Sequence, residues 1–126
     1  VDLQHQGAAW LTAQLQQFAS RPVTYRRGEK SVVVQATAAR TTGESTDTQG
    51  LRIQTEVRDW LIPTKSLVLG GTPILPERGD RIEERTDEDV VVFEVVPVGS
   101  EPPYRYCDPF RTLLRIHVRE IDRENL

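Results

Sequence analysis

The stretch Leu51-Arg52-Ile53-Gln54-Thr55-Glu56-Val57-Arg58-Asp59-Trp60-Leu61-Ile62-Pro63 decides the fold class. Its first half alternates apolar and polar residues, the period of a strand with one buried face. Its second half is apolar and aromatic, as a strand entering a core requires. Pro63 ends the run, because proline has no N–H to give a ladder.

Working outward, the same period recurs. Val23 and Tyr25 alternate with Thr24 and Arg26, then Arg27-Gly28-Glu29 supplies a turn, and Ser31 to Ala38 is a second β-prone run. Two such runs around a short glycine turn predict a hairpin. Downstream come Asp80-Arg81-Ile82-Glu83, a charged turn at Arg85 to Asp89, the valine-rich run Val90 to Val96, and the alternating run Thr112 to Arg119. Thr64 to Leu69 reads as a short helical turn closed by Gly70-Gly71. The tail from Asp122 is charged and is expected to fray.

One segment has a different period. Ala8, Leu11, Leu15 and Phe18 fall on one helical face, which predicts an amphipathic α-helix over 8–19, stopped by Pro22. The expectation is one domain spanning 1–126, mainly β: an antiparallel barrel or sandwich of about six strands over 23–121, with that N-terminal helix and the short helical turn. Strands and helices do not alternate along the chain, so a parallel sheet with crossover helices is excluded. Leu51, Ile53, Val57, Ile82, Val91, Phe93, Val95, Leu114, Ile116 and Val118 are the expected core. The polar stretch 40–50 and the Pro-containing stretch 98–108 are the expected mobile loops.

Bulk properties narrow the function. A chain of 126 residues accommodates one core. A formal charge of −3 lacks the positive field expected of a nucleic-acid binder. The single cysteine, Cys107, cannot form an internal disulfide. No apolar run reaches the ~20 residues that cross a bilayer. No secretion signal is recognisable, so the cytoplasm, or a particle assembled there, is the expected compartment.

Catalytic and metal sites find little support. Zinc needs three or four converging ligands; His5, His117 and Cys107 are scattered, with His117 on the outward phase of its strand and Cys107 read as partly buried and inert. The carboxylates Glu83, Glu84, Asp87, Glu88 and Asp89 lack a calcium-loop ladder and are interleaved with Arg81 and Arg85, as in a solvated turn. Arg78-Gly79-Asp80 spells an adhesion tripeptide, but reads better as a turn in which Gly79 admits the chain to a strand and Asp80 bonds nearby backbone. No cofactor and no catalytic residue is expected.

Contact residues are expected on the two loops: Thr42, Glu44 and Asp47 on the first, and Tyr104, Tyr106, Asp108 and Phe110 on or beside the second. Three of the eight aromatics (2 Trp, 3 Tyr, 3 Phe) gather there. Exposed aromatics anchor interfaces, although folding back as a lid on the core is an equal alternative.

The order of motifs is also familiar. Asp59-Trp60-Leu61-Ile62 ends a strand and precedes a short helical turn. Gly79-Asp80-Arg81-Ile82 leads to Phe93-Glu94-Val95, and Tyr104-Arg105-Tyr106-Cys107-Asp108 to the last strand. This succession, over about 52–119, resembles the phage head–tail joining, or head-closure, family of small β-barrel proteins. The resemblance implies a non-catalytic assembly protein at the virion neck. It would sit in a ring with itself and bridge portal or connector proteins to tail proteins, with no membrane and no sequence-specific nucleic acid. The alternative is a small ligand-binding or regulatory barrel of a bacterium, which would show a polar pocket, for instance of His117, Glu94 and Tyr106.

Overall fold

A computed structural model describes residues 6, 7, 9, 10, 20–46 and 49–125, with backbone alone at 43–46 and 52–56. Nine strands follow in chain order: β1 Arg21–Arg27, β2 Lys30–Thr46, β3 Arg52–Pro63, β4 Val68–Leu69, β5 Thr72–Pro73, β6 Arg81–Arg85, β7 Asp89–Val95, β8 Tyr104–Tyr106 and β9 Leu113–Asn125. Neighbours in the main sheet run β3-β2-β1-β6-β7-β9-β8, and β3 also pairs with β9. That last pairing closes six strands, β1, β2, β3, β6, β7 and β9, into an antiparallel barrel. β8 lies beside β9 as an added edge, and β4–β5 is a separate two-stranded hairpin.

The hairpins follow local chemistry. β1 and β2 meet at Gly28, whose φ of +60° suits the left-handed turn between twisted strands. β6 and β7 meet around Thr86, whose hydroxyl accepts from the Asp89 N–H at 3.0 Å. Gly79, at φ +93°, lets the chain swing into β6.

The barrel interior is filled. Val23, Tyr25, Val34, Ala36, Trp60, Ile62, Ile82, Val91, Phe93, Val95, Leu114, Ile116 and Val118 are all buried there, joined by Leu67 and Leu69 from the segment after β3. Trp60 is the largest of them and meets Phe93 edge to face, centroids 5.8 Å apart. The guanidinium groups of Arg21 and Arg58 lie 5.3 and 5.0 Å from the Trp60 ring centroid. Both arginines also pair with the buried Glu84, at 2.8 and 3.8 Å.

Several expectations are corrected. Among the described residues no N-terminal α-helix is an element of this fold. Of 8–19 only Ala9 and Trp10 lie within the described residues. Among the described residues the helical ones are Gln6, Gly7, Ala9 and Trp10, and the one complete helical element is the 3-10 turn Thr64–Ser66. The fold class is therefore an all-β barrel. The helical turn expected over Thr64 to Leu69 is shorter than the reading. Val68 and Leu69 form β4, and Gly70-Gly71 turns that strand into β5.

The phase of β3 was also misread. Trp60 and Ile62 point inward, so Val57 falls on the outward phase and is half-buried, and Leu51 before the strand is 62% exposed. The side chain of Ile53 lies outside the described residues. The other expected core residues are buried. The stretch 40–46, read as loop, continues β2 in register with β3, from Arg40↔Arg58 to Thr46↔Arg52. The tail from Asp122 is strand to Asn125, paired with β7.

Candidate functional site

The first candidate surface is an arm. β1 leaves β2 after the pair Arg21↔Ala36, and β9 leaves β3 at Arg58↔Val118. Beyond those points β2 and β3 run on together as a two-stranded ribbon. Thr42 is exposed on it. Glu44 is placed there by its backbone, opposite Gln54. Asp47 lies outside the described residues.

The second surface is the edge formed by β8 and the turn after it. Tyr104 and Tyr106 pair with Ile116 and Leu114 of β9, and their rings meet edge to face at 6.0 Å. Both are half-buried and pack against the core, as the lid alternative has it. Asp108 builds the turn. Its carboxylate accepts from the N–H groups of Phe110 at 3.1 Å, Thr112 at 3.0 Å and Leu113 at 3.1 Å. This cap holds Arg111 at φ +59°, a left-handed backbone usual for glycine. Phe110 is half-buried in the same turn. Cys107 is exposed, contrary to the expected burial, and reaches into the fold by its N–H, which donates to the Leu113 carbonyl at 2.8 Å.

Two buried charge networks brace the barrel, and the first of them ties these surfaces to it. Asp59 of β3 and His117 of β9 are fully buried on the barrel's outer face, with Oδ1 and Nδ1 2.7 Å apart. Asp59 Oδ2 also accepts from Arg115 Nη1 at 2.8 Å and from the Thr41 hydroxyl. His117 Nε2 lies 3.3 Å from Glu101 Oε2, within ion-pair reach but without the alignment of a hydrogen bond. His117 is on the outward phase, as read, and its burial comes from the segment before β8. The Val96 N–H donates to the His117 carbonyl, and the His117 N–H donates to the Pro103 carbonyl. Asp59 thus links the arm through Thr41 and, through His117, the 96–103 segment. A sequence reading could have found this pairing only from the strand register.

The second network centres on Asp80, also buried. It accepts from the Tyr25 hydroxyl, from Arg27 Nε at 2.9 Å and Nη2 at 2.7 Å, and from the Glu77 N–H at 3.0 Å. The turn reading of Arg78-Gly79-Asp80 holds, and the burial of Asp80 removes it from any adhesion role. Burial is the first cause pushing the Tyr25 phenol far above its ordinary value, and the Asp80 carboxylate adds to it.

The polar pocket proposed for a ligand-binding barrel does not form. His117 pairs with Asp59 and Glu101, not with Glu94 or Tyr106, and Glu94 instead pairs with Arg119 at 2.9 Å. Among the described residues no cluster of three metal-ligating side chains occurs, and no helix is long and apolar enough to cross a membrane.

The family model described as "Phage head-tail joining protein" matches residues 1–125. No curated protein matches the chain. A match over nearly the whole length, together with a filled barrel carrying an arm and an aromatic edge, is decisive: the chain belongs to the phage head–tail joining protein family, a structural assembly protein and not an enzyme.

Proposed function

We propose that this chain forms a ring at the virion neck, between portal or connector proteins on one side and tail proteins on the other. The barrel is the scaffold, and Thr42 and Glu44 of the arm, with Asp47 next in sequence after its described residues, are the contact residues. The observation that carries this reading is the ribbon of β2 and β3 continuing past the last barrel pairs. Among the described residues no further strand lies beside this ribbon, so the needs of the core do not explain it. It places backbone donors and acceptors where a neighbour can reach them.

Tyr104, Tyr106 and Phe110 supply a second contact patch, with Asp108 shaping the turn that holds it. Half-buried tyrosines with packed rings bind at low entropic cost.

Co-expression with the neighbouring portal and tail genes, followed by size-exclusion chromatography, tests the reading. The intact chain is expected to co-migrate with a neck protein. A variant in which 43–55 is replaced by Asn-Gly, joining Thr42 to its register partner Glu56, should keep the barrel and lose co-migration. Co-migration that survives this deletion would exclude the arm. None by the intact chain at any salt concentration would overturn the reading.

A further inference from the structure

A cavity of about 370 Å³ opens between the 3-10 turn and the turn shaped by Asp108. It is lined by Pro63, Thr64, Lys65, Arg111 and Thr112, with Ala9 at its side. The two turns are tied together, since the Thr64 N–H donates to the Thr112 carbonyl at 3.0 Å. The site is therefore preformed, not assembled on contact.

Three features mark this cavity. Lys65 and Arg111 flank it, and neither is in an ion pair among the described residues. Arg111 is held in a left-handed conformation that an arginine adopts at a cost, with its guanidinium 5.5 Å from the Tyr106 ring centroid. The buried hydroxyl oxygen of Thr64 has no hydrogen-bond partner among the described residues. Strained backbone, unpaired cations and an unsatisfied polar atom cluster where a ligand is to be met.

We infer that this cavity is a docking site for an acidic segment of a partner protein, taking one carboxylate between Lys65 and Arg111 and a neighbouring aliphatic side chain against Pro63 and Ala9. Charge complementarity selects the carboxylate. The planar guanidinium of Arg111 can hold it through two N–H donors, and Lys65 adds a point charge. The apolar floor selects a peptide over a nucleic acid. A phosphodiester backbone has no aliphatic arm to fill the cavity, and two cations on a chain of net charge −3 make a poor phosphate track. This deepens the assembly reading by giving the chemistry of one partner contact. Deletion of the arm leaves the cavity untouched, so the two readings can fail separately.

The test is a ¹H–¹⁵N NMR titration of the full chain with the acetylated, amidated pentapeptide Gly-Leu-Glu-Leu-Gly. The counterpart with lysine in place of glutamate and a single-stranded thymidine octamer are titrated in parallel. The glutamate peptide is expected to shift the amides of Lys65, Arg111 and Thr112, and the effect should weaken as salt is raised. The double variant K65Q/R111Q should weaken binding by about tenfold while its spectrum shows an intact barrel. A K65R variant keeps both cations and should bind the glutamate peptide no more weakly than the native chain. No shift at these residues up to roughly 10 mM peptide, equal shifts with the lysine peptide, or shifts with the thymidine octamer alone would each overturn the proposal.

Discussion

Asp59 and His117 stand directly opposite each other across β3 and β9, side chains 2.7 Å apart, fully buried although both point away from the barrel interior. Removing the carboxylate strands three donors. Asp59→Ala should lower stability by about 3–5 kcal/mol, because Arg115, His117 and Thr41 lose their common acceptor. Urea unfolding followed by circular dichroism checks this through the midpoint. A loss within experimental error of zero would show that the network is not holding the outer layer.

Trp60 is the largest fully buried side chain of the barrel and packs against Phe93. Trp60→Ala should cost about 3–5 kcal/mol by leaving a cavity, and Trp60→Phe distinctly less. Thermal unfolding of the two variants gives the order, and an alanine variant as stable as the phenylalanine one would contradict it.

Alkaline pH should weaken the fold through Tyr25. Burial first, and the Asp80 carboxylate second, hold the phenol above its ordinary value in the folded chain. Above the unfolded tyrosine value of about 10 the unfolded chain releases a proton that the folded chain keeps. The folded state then binds more protons, so stability is intact below about pH 10 and falls as pH rises beyond it. Tyr25→Phe should flatten that fall relative to the native chain, at a cost of about 1.5–3 kcal/mol near neutrality for the lost bond to a carboxylate. Stability measured from pH 8 to 11 decides it, and parallel curves for the two proteins would rule the effect out.

Cys107 should be a slow nucleophile despite its exposure. Partial desolvation raises its thiol above the ordinary value and outweighs the opposing pull of Arg115 and Arg105. The thiolate is the reactive form, so alkylation should set in at higher pH than for glutathione and run more slowly at pH 8. Mass spectrometry of iodoacetamide-treated protein measures this, and a rate equal to or above that of glutathione would refute it.

Much of the barrel was legible because strand period is a local signal. Ile82, Val91, Phe93, Val95, Leu114, Ile116 and Val118 all carry their inward phase in the sequence, and each is buried as read. The 51–63 stretch misled for a physical reason. Its alternating half belongs to the arm, so its pattern marks a ribbon and not a core face. The true inward residues Trp60 and Ile62 sit in a run that is apolar on both faces. The Gly79-Asp80 turn could be read because turn chemistry is local. The Asp59–His117 pair could not, because it depends on the register between strands from opposite halves of the chain. The resemblance supplied the family, which periodicity could not.

β3 is one continuous strand with two tasks, arm at its first half and barrel seam at its second. The seam is six pairs, from Arg58↔Val118 to Pro63↔Leu113. Its hydrogen bonds lie across the strand direction, so tension applied along the arm loads all six pairs together, in shear. Tension applied sideways would peel them one at a time, beginning at Arg58. A joint built on this chain would therefore be strong along one axis and weak across it. The Asp59–His117 pair, next in line behind Arg58, is the first rivet that a peeling force would have to break.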